Sequence, residues 1–126
     1  MALKVKDMLA AANDAVSTID MPEALNLMQS GHSLVVDVRD ATEVQASGKV
    51  KGALHVSRGL LEFKADPESP TYEAALKKDK VILVYCASGG RAALAGKTLK
   101  DMGYADVRNL GSFKAWIDAG GEIEKS

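Results

Sequence analysis

Residues 80 to 86 read "KVILVYC", with five apolar positions in succession from Val81 to Tyr85, and "SLVVDVR" (33 to 39) is nearly as continuous. A strand wetted on one face alternates apolar and polar residues. A strand apolar on both faces has to be covered on both, which is the habit of parallel sheets in α/β domains. Shorter extended pieces follow the same reading: "STID" (17 to 20), "GALHVS" (52 to 57) and "DVRNL" (106 to 110). Between them lie helical patterns. "MPEALNLMQSG" (21 to 31) has a proline at its start and Gly31 at its stop. "RGLLEFKA" (58 to 65) predicts one or two turns, and "ADPESPTY" (65 to 72), with two prolines, predicts a loop. "YEAALKK" (72 to 78) predicts a resumed helix. "RAALAGKTLKDMGY" (91 to 104) predicts a helix closed by Gly103, and "SFKAWIDAGG" (112 to 121) one stopped by its paired glycines. Strands separated by helices in this order predict an α/β domain with a mostly parallel central sheet and helices on both faces.

With 126 residues the chain suits one compact domain and buries enough surface to need no staples. Residues 1 to 16 predict an N-terminal amphipathic helix, with Met8, Leu9, Ala12 and Val16 on one face. Residues 17 to 126 form the single domain proper. Sixteen basic against seventeen acidic residues, interspersed, give no support to a nucleic-acid partner. No apolar run approaches the roughly 20 residues that span a bilayer, so no membrane association is expected. The start of the chain lacks the uninterrupted core of a secretory signal. A single cysteine excludes an internal disulfide, and with that the expected location is cytoplasmic.

That cysteine, Cys86, closes the strongest predicted strand. It is followed by Ala87, Ser88, Gly89, Gly90 and Arg91, and then by helix. Ligands of such sheets bind at the carboxyl ends of the strands, in the loops that lead into helices. A turn of this kind aims several backbone N–H groups inward and makes a cradle for negative charge. The glycines allow the close approach, and the helix adds its positive end. Thiolate is stabilised by these donors and by Arg91, giving a reactive, anion-seated sulfur. A free cysteine is more often a small buried apolar residue. An inert core thiol, however, needs neither the glycines nor the arginine. Tyrosine-phosphatase-type loops place five residues between cysteine and arginine and enclose a phosphate. Here four intervene, and the tighter ring suits one extra sulfur on Cys86, which weakens a phosphatase or arsenate-reductase reading.

The stretches "LVVDVRDATEV" (34 to 44), "GKVKGALHVS" (48 to 57), "VILVYCASGGRAALAGKTLKDMGY" (81 to 104) and "VRNLGSFKAWIDAGG" (107 to 121) resemble, in this order, the rhodanese-like domain of single-domain sulfurtransferases. The resemblance covers roughly residues 17 to 121. It implies a central five-stranded sheet and a thiosulfate-sulfurtransferase type of chemistry. Cys86 would take a sulfane sulfur from a small donor such as thiosulfate and pass it, as persulfide, to cyanide or a thiol. A sulfur-accepting protein is a further partner it allows. Ala87 to Arg91 would hold the persulfide through their amides, Ser88 can add a hydroxyl, and Arg91 would orient the loop or meet an anionic donor. No metal or organic cofactor is implied. Where the family often has Gly-His-Ile this chain has Gly48-Lys49-Val50, and Gly111-Ser112 stands for a usual glycine pair, Ser112 being able to cap the last helix. Some relatives keep the fold as binding or regulatory modules with little turnover. The intact Cys86 favours the enzyme.

Around this centre, Asp37 and Arg39 are expected to fix the loops by hydrogen bonds, because buried charges must be paired. Arg58, with Glu62 as its partner, is expected to add positive charge opposite Cys86. His55 reads as a core histidine and His32 as a solvated turn residue. Phe113, Trp116 and Ile117 read as core, and "KADPESP" (64 to 70) as a rim connection.

Overall fold

The structure, a computed structural model, describes residues 2–125. Its strands are β1 (Ser17–Thr18), β2 (Ser33–Asp37), β3 (Lys49–Val50), β4 (Leu54–His55), β5 (Val81–Cys86), β6 (Asp106–Ser112) and β7 (Ile123–Glu124). Its helices are α1 (Val5–Ala15), α2 (Met21–Gln29), α3 (Ala41–Ser47), α4 (Leu61–Ala65), α5 (Gly90–Asp101) and α6 (Phe113–Asp118), with a 3₁₀ turn at Arg58–Leu60 leading into α4. Five strands form one sheet in the order β1-β6-β5-β2-β4, and every pairing in it is parallel. β5 lies at its centre, as its doubly apolar sequence requires. A separate two-stranded antiparallel ribbon joins β3 to β7.

The side chains of β5 alternate between two cores. Ile82, Val84 and Cys86 join Val36, Val38, Leu61, Leu99 and Tyr104 on one face. Leu83 and Tyr85 join Val35, Val50, Phe113 and Trp116 on the other, where Leu27 and Met28 of α2 also pack. Cys86 therefore faces the side covered by α5. On α1, Ala12 is fully buried, and Val16 just beyond the helix nearly so, whereas Met8 stays largely exposed. Val16 lies so close to α5 that a side chain at Gly96 would meet its methyl groups at 3.0 Å.

Three expectations change. Residues 72 to 78 do not resume a helix; they run in turns. Leu76 is completely buried, and its carbonyl accepts the hydroxyls of Tyr72 (2.6 Å) and Tyr104 (3.3 Å). Burial of Leu76 and these bonds fix the segment in turns, so tertiary packing overrides propensity. Ile117 is 44% exposed, because α6 is too short to turn a whole face inward. α3, opened by a reciprocal cap between Asp40 and Glu43, arises where no element was read.

Tyr104 also donates to the Ala65 carbonyl at 2.7 Å, which ties α4 to the 66–80 segment. Tyr104→Phe strands the Ala65 carbonyl, while that of Leu76 keeps the Tyr72 hydroxyl, and should cost about 1–2 kcal/mol. Urea denaturation should show a lower midpoint at an unchanged slope.

Candidate active site

Cys86 is the last residue of β5 and is completely buried. Its Sγ accepts the amides of Gly89 at 3.0 Å and Ala92 at 3.4 Å. The chain reaches this geometry through Gly89, which caps α5 with φ of +102°, a left-handed conformation that favours glycine. Gly90 and Arg91 open α5, where amides lack intrahelical acceptors. Among the described residues the amides of Ala87 and Ser88 also have no backbone acceptor. Ala87 and Ser88 form the exposed rim of the loop.

The cradle is braced from β6. Opposite Val84 and Tyr85, β6 holds an extra residue: Val84 pairs with Asn109 but Tyr85 pairs with Gly111. The buried Asn109 fills this bulge. Its Oδ1 accepts from Gly111 N at 2.8 Å, and its Nδ2 donates to the Gly89 carbonyl at 3.3 Å. Ser112 caps α6 by accepting from Ala115 N at 3.0 Å.

Arg91 does not point a free fork at the sulfur. Its Nη1 and Nη2 donate to the two oxygens of Glu43 at 2.7 and 3.0 Å. This hydrogen-bonded pairing lowers the Glu43 pKa from 4.5 to about 2 and raises that of Arg91. Glu43 was not singled out from the sequence. Its only local signal is the spacing Asp40-x-x-Glu43 of the cap, and nothing there identifies a partner 48 residues away.

Asp37 and Arg39 are both buried and bonded to each other, with Arg39 Nη2 at 2.7 Å from Asp37 Oδ2. Arg39 also donates to Ser47 Oγ at 2.8 Å, and its guanidinium lies 4.2 Å from the centre of the Phe113 ring. Burial alone would lower the Arg39 pKa, but its hydrogen bonds to Asp37 and the charge of that carboxylate hold it above the ordinary value. Arg58 is placed differently from expectation. It donates to Glu62 at 3.0 Å and to Thr98 of α5 at 3.1 Å. It lines a groove with Leu3 and Met8, whereas the groove beside Cys86 is bordered by Ala87. Its own acceptors turn it along the flank of α5. His55 is half-buried, with Nε2 2.8 Å from the Arg39 carbonyl, and His32 is exposed. Among the described residues no group of three or more His, Cys, Asp or Glu is placed to hold a metal ion.

The model of the rhodanese-like domain matches residues 20–119. The chain belongs to that family. Thiosulfate sulfurtransferase 18 of Arabidopsis thaliana is 32% identical over 114 residues, which are 83% of this chain and 81% of that one. The Arabidopsis mitochondrial protein HIGH ARSENIC CONTENT 1 is 34% identical over 113 residues, and the match spans 83% of this chain but only 64% of that protein's length. A solved structure from Rhodopseudomonas palustris, of unknown function and described as a possible tyrosine phosphatase, is 42% identical. It has a TM-score of 0.89 and covers 98% of this chain and 96% of its own. The family and its sulfurtransferase members support sulfur transfer as the general chemistry of the fold.

Folding lowers the Glu43 pKa, so its pairing contributes fully above the ordinary 4.5 and is lost as pH falls toward 2. The stability gap between wild type and Glu43→Gln should hold constant above about pH 5 and close on acidification through that window. Urea midpoints measured between pH 6 and pH 2.5 read this directly.

Proposed function

We propose that this rhodanese-like domain moves a sulfane sulfur through a persulfide on Cys86, loaded by a small donor such as thiosulfate and discharged to a thiol or to cyanide. The observation that carries this reading is the seat of Sγ. It is a buried sulfur that accepts two backbone amides in the turn from β5 into α5. In the loading step the Cys86 thiolate attacks the terminal sulfur of the donor, and the S–S bond of the donor breaks. Sulfite leaves with the electron pair when thiosulfate is the donor. The acceptor then attacks the outer sulfur and frees the thiolate, as in any double displacement. Cys86 is the only cysteine, so the acceptor comes from outside the chain.

In this scheme Gly89, Gly90 and the amides around them stabilise the persulfide. Arg91 and Asn109 hold the loop, and the Asp37–Arg39 pair fixes the strand ends beneath it. No helix among the described residues is long and apolar enough to cross a membrane, and the single thiol suits a reducing cytoplasm.

A phosphatase reading draws on the description of the Rhodopseudomonas palustris structure. Two features speak against it. Only four residues separate Cys86 from Arg91, and both terminal nitrogens of Arg91 are bound to Glu43, where a phosphoryl group would need them.

Intact mass after incubation with thiosulfate and gel filtration tests the proposal. Wild type should gain about one sulfur atom, roughly 32 Da, and lose it to cyanide with release of thiocyanate. Cys86→Ala should gain nothing. Hydrolysis of an aryl phosphate without any sulfur loading from thiosulfate or an organic donor would replace this reading with the phosphatase one.

A further inference from the structure

The groove that opens beside the cradle has a volume of about 430 Å³, and Glu43, Ala46, Ala87, Phe113, Lys114 and Ile117 are among its walls. The two cations that line it are both paired: Arg39 is bonded to Asp37 and Lys114 to Asp118 at 2.6 Å, while the wall residue Glu43 holds Arg91. The pattern extends to the whole chain: its four arginines, at 39, 58, 91 and 108, all sit in ion pairs with carboxylates. What remains is an electroneutral rim over apolar walls, to which the exposed Ile117, Ala46 and Ala87 contribute.

This arrangement favours one kind of donor. The backbone amides of the cradle can seat a single negative charge next to the thiolate. A second charge on the donor finds no unpaired cation among the described residues that line the groove, and it is brought toward both the thiolate and Glu43. An apolar substituent, by contrast, finds a groove to fill. Resting on the persulfide reading above, we propose that the Cys86 site selects singly charged organic sulfane donors, R–SO₂–S⁻ or R–S–S⁻, over inorganic dianions, with Ile117 as the wall that the organic group covers. In the step itself the Cys86 thiolate attacks the terminal sulfur of R–SO₂–S⁻. The new S–S bond forms as the sulfur–sulfonyl bond breaks, and the sulfinate R–SO₂⁻ leaves with the electron pair. From R–S–S⁻ the leaving group is the thiolate R–S⁻. Both steps conserve charge and need no outside oxidant or reductant.

Two variants separate the apolar wall from the charge. Ile117 is exposed, so Ile117→Ser keeps the core intact, and Asp118→Asn releases Lys114 from its only carboxylate partner among the described residues. The measured quantity is kcat/KM for benzenethiosulfonate divided by that for thiosulfate, with cyanide as acceptor. Comparing this ratio between variants cancels the intrinsic reactivity of the two donors. Ile117→Ser should lower the ratio about five- to tenfold, the scale of lost apolar contact in a pocket. Asp118→Asn should lower it about two- to fivefold by raising thiosulfate turnover, the scale of an exposed ion pair. A ratio unchanged in both variants, with Cys86 still loading sulfur, overturns this selection and leaves the sulfurtransferase reading standing. If neither donor places sulfur on Cys86 of the wild type, the reading itself falls and the selection with it.

Discussion

The buried ion pair between Asp37 and Arg39 is the constraint on which the rest of this active edge depends. Asp37 ends β2, beside the central β5, and it accepts not only from Arg39 but from the Tyr85 hydroxyl at 2.6 Å. That same hydroxyl receives the Val50 amide at 2.9 Å. Arg39 reaches the other way, to Ser47 Oγ and the Gly48 carbonyl at the end of α3. Its guanidinium lies over Phe113 at the start of α6, and the Phe113 ring stacks on Tyr85 with centroids 5.8 Å apart. One carboxylate and one guanidinium therefore tie together the ends of β2 and β5, the end of α3, the β3 ribbon and the first turn of α6. A buried pair of this kind adds little net stability against an apolar replacement, but removing one partner leaves an uncompensated charge at a cost of about 3–5 kcal/mol. Its value here lies in position. Tyr85 is the residue before Cys86, so the network sets where β5 ends and where the cradle begins.

Much of this was legible because it is local. Continuous apolar runs mark β2 and β5, a proline and a glycine bracket α2, and Ser112 caps α6 as a serine at that position can. The strand–Cys86–glycine–helix sequence carries the cradle almost by itself, because a strand apolar on both faces must lie inside the sheet and its end must be the ligand edge. What could not be read depends on partners distant in the chain. Glu43 meets Arg91 across 48 positions, and Asn109 meets the Gly89 carbonyl across 20. The β3–β7 ribbon has two residues a side, too few for any period to show. In "YEAALKK" good helix formers are present, and Tyr72 and Leu76 have helical spacing. Yet the segment runs in turns around the fully buried Leu76, whose carbonyl accepts the hydroxyls of Tyr72 and of Tyr104 from beyond α5.

Arg58 and Arg91 share one lesson. Sequence places a cation near an anion site by counting along the chain, but a guanidinium on a long stem goes to the carboxylate that can meet its fork. Glu62 and Thr98 take Arg58 along the flank of α5, and Glu43 takes Arg91 sideways out of the cradle. The charge of Arg91 still acts on Cys86 through space, but the groups in hydrogen-bond contact with the sulfur are backbone amides, which cannot be titrated or swung away. Side-chain cations would add attraction for any anion that entered. Amides held at fixed positions by Gly89 and Asn109 recognise one atom at one place. A site built this way binds the sulfur being transferred more specifically than the molecule that delivers it, so what discriminates among donors must lie outside the cradle, on the walls of the groove beside it.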